Sequence, residues 1–133
     1  MYKLFCEMWM QELAILWNSG QIEIINDADI NIGYGFIGFD DPIGVLIISN
    51  NKAVSAGLYT GQNLDLDVRA DITDWKKWLI DEITLSQLGL LIVQKELQFI
   101  EGNYNRILCI PCFATIFFHS FKLMSKIPTE FTT

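Results

Sequence analysis

The stretch NLDLDVRADI, residues 63–72, constrains the fold more than any other part of the chain. Leu64, Leu66, Val68, Ala70 and Ile72 alternate with Asp65, Asp67, Arg69 and Asp71. Successive residues of a strand point to opposite faces of its sheet. The pattern therefore predicts a strand with an apolar face turned inward and a charged face in water. Such a sheet needs a layer of helices over its apolar side. The 133 residues are enough for one two-layer domain and too few for two.

Further strand signals surround this one. QIEII, residues 21–25, sets Ile22 and Ile24 against Glu23. GVLIIS and AVSAGLY are separated by Asn50-Asn51-Lys52, which reads as a hairpin whose asparagines accept positive φ. Leu97 to Gly102 reads as a short strand ending in a Gly-Asn turn.

Helical spacing occupies the rest. Across residues 3–18, Lys3, Glu7, Gln11, Ala14 and Asn18 share one stripe, and Phe5, Trp9, Leu13 and Leu16 another. Gly20 stands where a C-cap belongs. Thr73 is the expected N-cap of DWKKWLIDE, with Trp75, Trp78 and Leu79 on one side. Thr84 and Gln87 have capping-box spacing. The LGLLIV that follows is apolar all round and is expected to be enclosed. A last helix starts in ILCIPCFATIFF, residues 107–118, where Pro111 should kink it. The order is helix, four strands, two helices, strand, helix. That is one α+β domain over 1–133, with a single mixed or antiparallel five-stranded sheet covered on one face by helices.

Charge narrows the partners. Nine basic residues face sixteen acidic ones, for a net charge of −7. Tracking phosphates takes clustered Lys and Arg, and the nearest approach is Lys76-Lys77 between Asp74 and Asp81. Nucleic acid and an anionic membrane surface are poor fits. Three cysteines, Cys6, Cys109 and Cys112, form no disulfide framework and suit a reducing compartment. Glu7 falls where a signal peptide needs an apolar run, and PTEFTT is not a peroxisomal address. The cytoplasm is the expected location.

Several motifs match a pattern without its context. Gly33 to Gly38, GYGFIG, spells the dinucleotide fingerprint, but Pro42 and a strand follow where that chemistry needs a helix. It reads instead as a glycine-loosened turn or a bulged strand. Asp27, Asp29 and Asn31 resemble the start of a calcium loop, yet Ile32 and Gly38 occupy the positions of its glycine and last glutamate. A surface loop of Asx turns is the plainer account.

The cysteines and the histidine fare no better. Cys109-Ile-Pro-Cys112 lacks the strand lead-in and the downstream fold of a redox motif. Cys112 and His119 on one helix stand about 10.5 Å apart along its axis, too far for a shared zinc ion. Twelve uncharged residues fall short of the roughly 20 that span a bilayer, so no integral membrane span is expected. No Ser/His/Asp or Cys/His arrangement is legible. No enzyme, catalytic residue, metal or cofactor is expected.

What remains is the periodicity of the last helix. Asn105, Cys109, Cys112, Thr115, His119, Lys122 and Lys126 recur as one narrow polar stripe, with His119 expected at the solvent edge. Ile107, Leu108, Ile110, Phe113, Phe117, Phe118, Phe121 and Met124 form a wide apolar face. Such a face suits either core plus a homodimer interface, or a lid over a cavity for an apolar ligand.

The layout resembles the sterol carrier protein type 2 family of lipid-binding domains. The likeness is carried by MWMQELAILWNSG, GVLIISNNKAVSAG, LDLDVRADIT running into DWKKWLIDEITLSQL, and the closing LQFIEGNYNRILCIPCFATIFFHSF. Asn103 departs from the acidic residue often found there, and DADINIGYGFIGFDDP is long and glycine-rich. The resemblance implies a mixed sheet, helices over one face, and a hydrophobic tunnel between the layers. It implies binding of a sterol, fatty acid, acyl thioester or other lipid without chemistry on it. By position, the tunnel wall would take Leu88 and Ile92 from the enclosed helix and Phe99 from the short strand. Phe113, Phe117, Phe121 and Met124 would join from the last helix.

Overall fold

A computed structural model describes residues 2–19, 30–50, 52–81, 97–101 and 111–131, with 84, 86, 87, 90, 91 and 94; for 99–101 and 111–117 it describes the backbone alone. The elements are β1 (Tyr2–Lys3), α1 (Glu7–Ser19), β2 (Ile30–Phe36), β3 (Gly44–Ser49), β4 (Lys52–Leu58) and β5 (Leu66–Ala70). They continue with α2 (Ile72–Asp81), β6 (Gln98–Glu101), α3 (Pro111–Met124) and β7 (Thr129–Glu130). Five strands form one mixed sheet in the order β4-β3-β2-β5-β6, in which only the β2–β5 pair is parallel. The class and the five-stranded sheet agree with the sequence reading.

The centre of that sheet is β2. Ile30–Phe36, INIGYGF, lies between β3 and β5, where the sequence had suggested Asx turns up to Asn31 and, from Gly33, a glycine-loosened turn or a bulged strand. QIEII lies outside the described residues. Ile30, Ile32, Tyr34 and Phe36 are all buried in the core, so the strand alternates after all. Its opposite face carries Gly33 and Gly35, and both are needed bare. A Cβ on Gly35 would stand 3.0 Å from Pro42 Cα and 3.2 Å from Arg69 Cδ. The glycines let the Ile37–Pro42 loop lie flat against the sheet.

That loop also overturns the expected wet face of β5. Asp67 and Arg69 are 5% and 2% exposed, not solvated. Arg69 Nε donates to Asp67 Oδ1 at 2.6 Å and Nη2 to Oδ2 at 2.9 Å. Nη1 and Nη2 also donate to the carbonyls of Phe39 at 2.6 Å and Asp40 at 3.3 Å. The guanidinium thus fastens the loop over the sheet, because a buried charge must be paired and hydrogen-bonded. Asp65 and Asp71 stay exposed, as expected.

Two helix expectations shift. The first helix begins at Glu7 rather than residue 3, because Tyr2–Lys3 pairs in parallel with Thr129–Glu130. Phe5 turns the chain between them at φ 62. The left-handed region is costly for a bulky residue. Burying the Phe5 ring among Trp9, Tyr34, Phe36 and Trp75, with centroids 5.1–5.6 Å away, offsets that cost. α2 begins at Ile72, its first turn closed by the Asp71 carbonyl accepting from Trp75 N–H at 3.0 Å, so the start lies ahead of Thr73. α3 is described from Pro111 onward, and residues 107–110, on which the expected kink at Pro111 depends, lie outside the described residues.

Other local readings hold. The β3–β4 hairpin turns at Asn50 with φ 51. Thr84 and Gln87 exchange the two capping-box bonds, at 2.8 and 3.2 Å. α1 packs its Trp9, Met10, Leu13 and Trp17 face over β3 and β4. At its end, Asn18 exchanges two 2.9 Å bonds with the backbone of Ala53, beside the bulge in β4. Leu90 is 57% exposed, so the LGLLIV segment is not wholly enclosed.

Candidate functional site

The candidate site is the space that α2, α3 and the segment after α3 share above the sheet. The β5–α2 junction places Trp75 there, fully buried. Its Nε1 donates to the Gly35 carbonyl at 2.9 Å, tying α2 to the central strand. Phe121 of α3 stacks on Trp75 at 5.7 Å and 25°, and tilts against Trp78 at 6.5 Å. One turn along the helix, Met124 is also fully buried. Apolar rings at these separations attract and exclude water.

One polar contact crosses this layer. Tyr34 Oη on β2 donates to Ser120 Oγ on α3 at 3.0 Å, with both side chains buried. Burial pushes the Tyr34 phenol well above its ordinary pKa, and the Ser120 bond acts weakly the other way. It stays un-ionised at any physiological pH, so this part of the interior holds no charge.

His119 is half-buried, its ring edge-on to Trp17 at 5.1 Å. Its Nε2 is buried and makes no hydrogen bond among the described residues. Burial first, then the charges of Lys122 and Lys126, lower its pKa from the usual 6.5. Protonation is thus harder in the folded state than in the unfolded one. Above pH 6.5 neither state binds the proton and stability is unaffected. Below it the unfolded chain gains the proton first, so stability falls until the folded pKa is passed. Urea unfolding at steps from pH 7.5 to 5 should show this loss, and His119→Phe should remove this component.

Behind Met124 the surface opens into a groove of about 580 Å³ between α2 and the Ser125–Phe131 segment. Leu79, Ile80, Met124, Ile127 and Phe131 form its apolar walls, and the exposed Lys76 and Glu130 line it too. Its volume is in the range of small-molecule sites. No group of metal-binding side chains occurs among the described residues, and none of their helices is long and apolar enough to cross a membrane.

The arrangement of chain and sheet matches solved structures. The crystal structure of sterol carrier protein 2 superposes with a TM-score of 0.68 and 17% identity, covering 94% of this chain and 99% of that one. A conserved hypothetical protein of Thermus thermophilus, suggested to be a sterol carrier protein, gives 0.67 and 17%, covering 99% and 94%. This chain has the sterol carrier protein 2 fold. No family model and no curated protein sequence matches it.

On the sterol carrier protein 2 fold, the seven wall positions expected from sequence fall unevenly. Phe121 and Met124 are brought together at the α2–α3 seam. Phe99, in β6, is the register partner of the core residue Val68, and Phe113 and Phe117 belong to α3. The side chains of those three, and Leu88 and Ile92 entirely, lie outside the described residues. So do Cys109 and the side chain of Cys112, which leaves the redox and zinc readings where the sequence put them.

Sequence reasoning missed Tyr34 and Ser120 as a pair. Their only signal was a hydroxyl amid apolar residues on each element. It also missed the groove, whose walls come from segments far apart in the chain.

Proposed function

We propose that the protein binds an apolar ligand, a fatty acid, acyl thioester, sterol or isoprenoid lipid, in a tunnel between its helices and its sheet, and does no chemistry on it. The observation that carries this reading is the sterol carrier protein 2 fold over nearly the whole chain. The composition of α3 supports it: PCFATIFFHSFKLM supplies more apolar surface than one side of a sheet needs. Leu88, Ile92, Phe99, Phe113, Phe117, Phe121 and Met124 are the proposed wall. A carrier of this kind needs no catalytic group, metal or cofactor. The free Cys6 and the low cysteine count fit work in the cytoplasm.

Native mass spectrometry of freshly purified protein, with solvent extraction and lipid identification, tests the reading. The expected result is an added mass that leaves as a long-chain lipid. A clean unliganded mass, with no rise in melting temperature on adding long-chain lipids, would overturn it. Helix-to-helix homodimerisation would then be the account of α3 to examine.

A further inference from the structure

One edge of the sheet is β4, and side chains occupy part of its outward hydrogen-bonding surface. Ala53 N–H donates to Asn18 Oδ1, and Asn18 Nδ2 donates to the Ala53 carbonyl, both at 2.9 Å. Along a strand the N–H and C=O of one residue face one neighbour, and those of the next residue face the other side. Ala53 therefore presents both groups away from β3. Beyond the far end of the strand, Tyr59 N–H donates to the Ile43 carbonyl at 2.9 Å, so Leu58 faces outward. Gln62 Nε2 donates to the Leu58 carbonyl at 3.4 Å, and Gln62 Oε1 accepts from Thr60 N–H at 2.6 Å, which holds that amide in place. Counting back from Leu58, Ala56 faces outward too. The bulge that sets Ser55 against Ile47 and Ala53 against Ile48 then restores the outward sense at Ala53.

An edge strand of this kind accepts a further strand unless something blocks it. The common blocks are thin here. KAVSAGL has no proline, and its one charge, Lys52, stands at the hairpin end. Val54 and Leu58 are 62% and 48% exposed, so the strand offers apolar side chains as well as backbone. We propose that Asn18 and Gln62 are edge locks, and that the edge they close is a latent pairing surface for β4 of a second copy of this chain. Each side-chain amide takes the place of a neighbouring strand's peptide group. Between the locks, among the described residues, the outward groups left are those of Ala56 and the Leu58 N–H. That is too little for a strand to add. An antiparallel copy centred on Ala56 needs the groups of Ala53 and Leu58 as well. A second copy suits the edge because a two-fold axis at Ala56 sets β4 against itself with the two Lys52 side chains at opposite ends. The device is independent of the proposed tunnel and goes beyond that reading.

The test is sedimentation velocity of the full chain over a concentration series, with no lipid added. Wild-type protein should stay monomeric. Asn18→Ala frees the outward groups of Ala53 on both copies and should tighten self-association about tenfold or more, with a dimer as the end point. Hydrogen exchange at the Ala56 and Leu58 amides should slow in that dimer. Gln62→Ala opens a single carbonyl and should move association the same way by less. Asn18 is exposed and Gln62 lies between β4 and β5, so neither change reaches the core. Adding Ala56→Pro to Asn18→Ala should restore the monomer. A proline there removes an outward N–H and none of the bonds to β3.

A folded Asn18→Ala protein that associates no more tightly than wild type would overturn the proposal. So would a dimer whose Ala56 and Leu58 amides exchange as fast as in the monomer, because the contact would then lie elsewhere, the apolar face of α3 included. A wild-type dimer protected at β4 would overturn it too, since the edge would not be closed. Should Asn18→Ala fail to fold, Gln62→Ala decides alone: tighter association upholds the lock and an unchanged monomer removes it.

Discussion

Arg69→Met is expected to cost about 3–5 kcal/mol of stability, read as a fall in the urea midpoint at an unchanged slope. The change leaves the Asp67 carboxylate buried without its partner. It also strips the donors from the carbonyls of Phe39 and Asp40, on the face that Gly33 and Gly35 keep bare for the loop. The double change Asp67→Leu with Arg69→Met should cost less than the single one, because no charge is then buried alone. A loss below about 1 kcal/mol for Arg69→Met would mean that the pair behaves as a solvated surface bridge.

Trp75→Ala should be equally severe, at about 3–5 kcal/mol. Trp75 is wholly buried and meets the rings of Phe5, Tyr34, Trp78 and Phe121. Removing it opens a cavity where the sheet, α2 and α3 meet. Trp75→Phe separates the two contributions. It keeps most of the packing but removes the hydrogen bond to the Gly35 carbonyl, for about 0.5–1.5 kcal/mol. Thermal and urea unfolding of both variants would check this. A Phe variant as damaged as the Ala one would place the weight on the hydrogen bond instead.

Much of this architecture was legible because its signals are local. The β3–β4 hairpin follows from an asparagine turn, the Thr84–Gln87 pair from spacing, and the Trp75, Trp78 and Leu79 face from helical period. β6 appeared where a short run ended near Gly102. The central strand was legible only as one of two readings, because Gly33 and Gly35 lower strand propensity. They are favourable only once Pro42 and Arg69 press against them. At the candidate site, Phe121 and Met124 were readable from the apolar face of the last helix.

The charge pattern of β5 shows where the division falls. The alternation in LDLDVRADI by itself determined that Leu66, Val68 and Ala70 face the core, because a strand's period leaves no other choice. It could not determine whether Asp67 and Arg69 meet water or protein. A solvated charge and a paired, buried one are written with the same letters. Tertiary structure decided that, by folding a loop from about thirty residues upstream across them. The same holds for Lys76 and Glu130, far apart in the chain, which folding brings to the lining of one groove. Periodicity assigns faces within an element, and only packing assigns what each face meets.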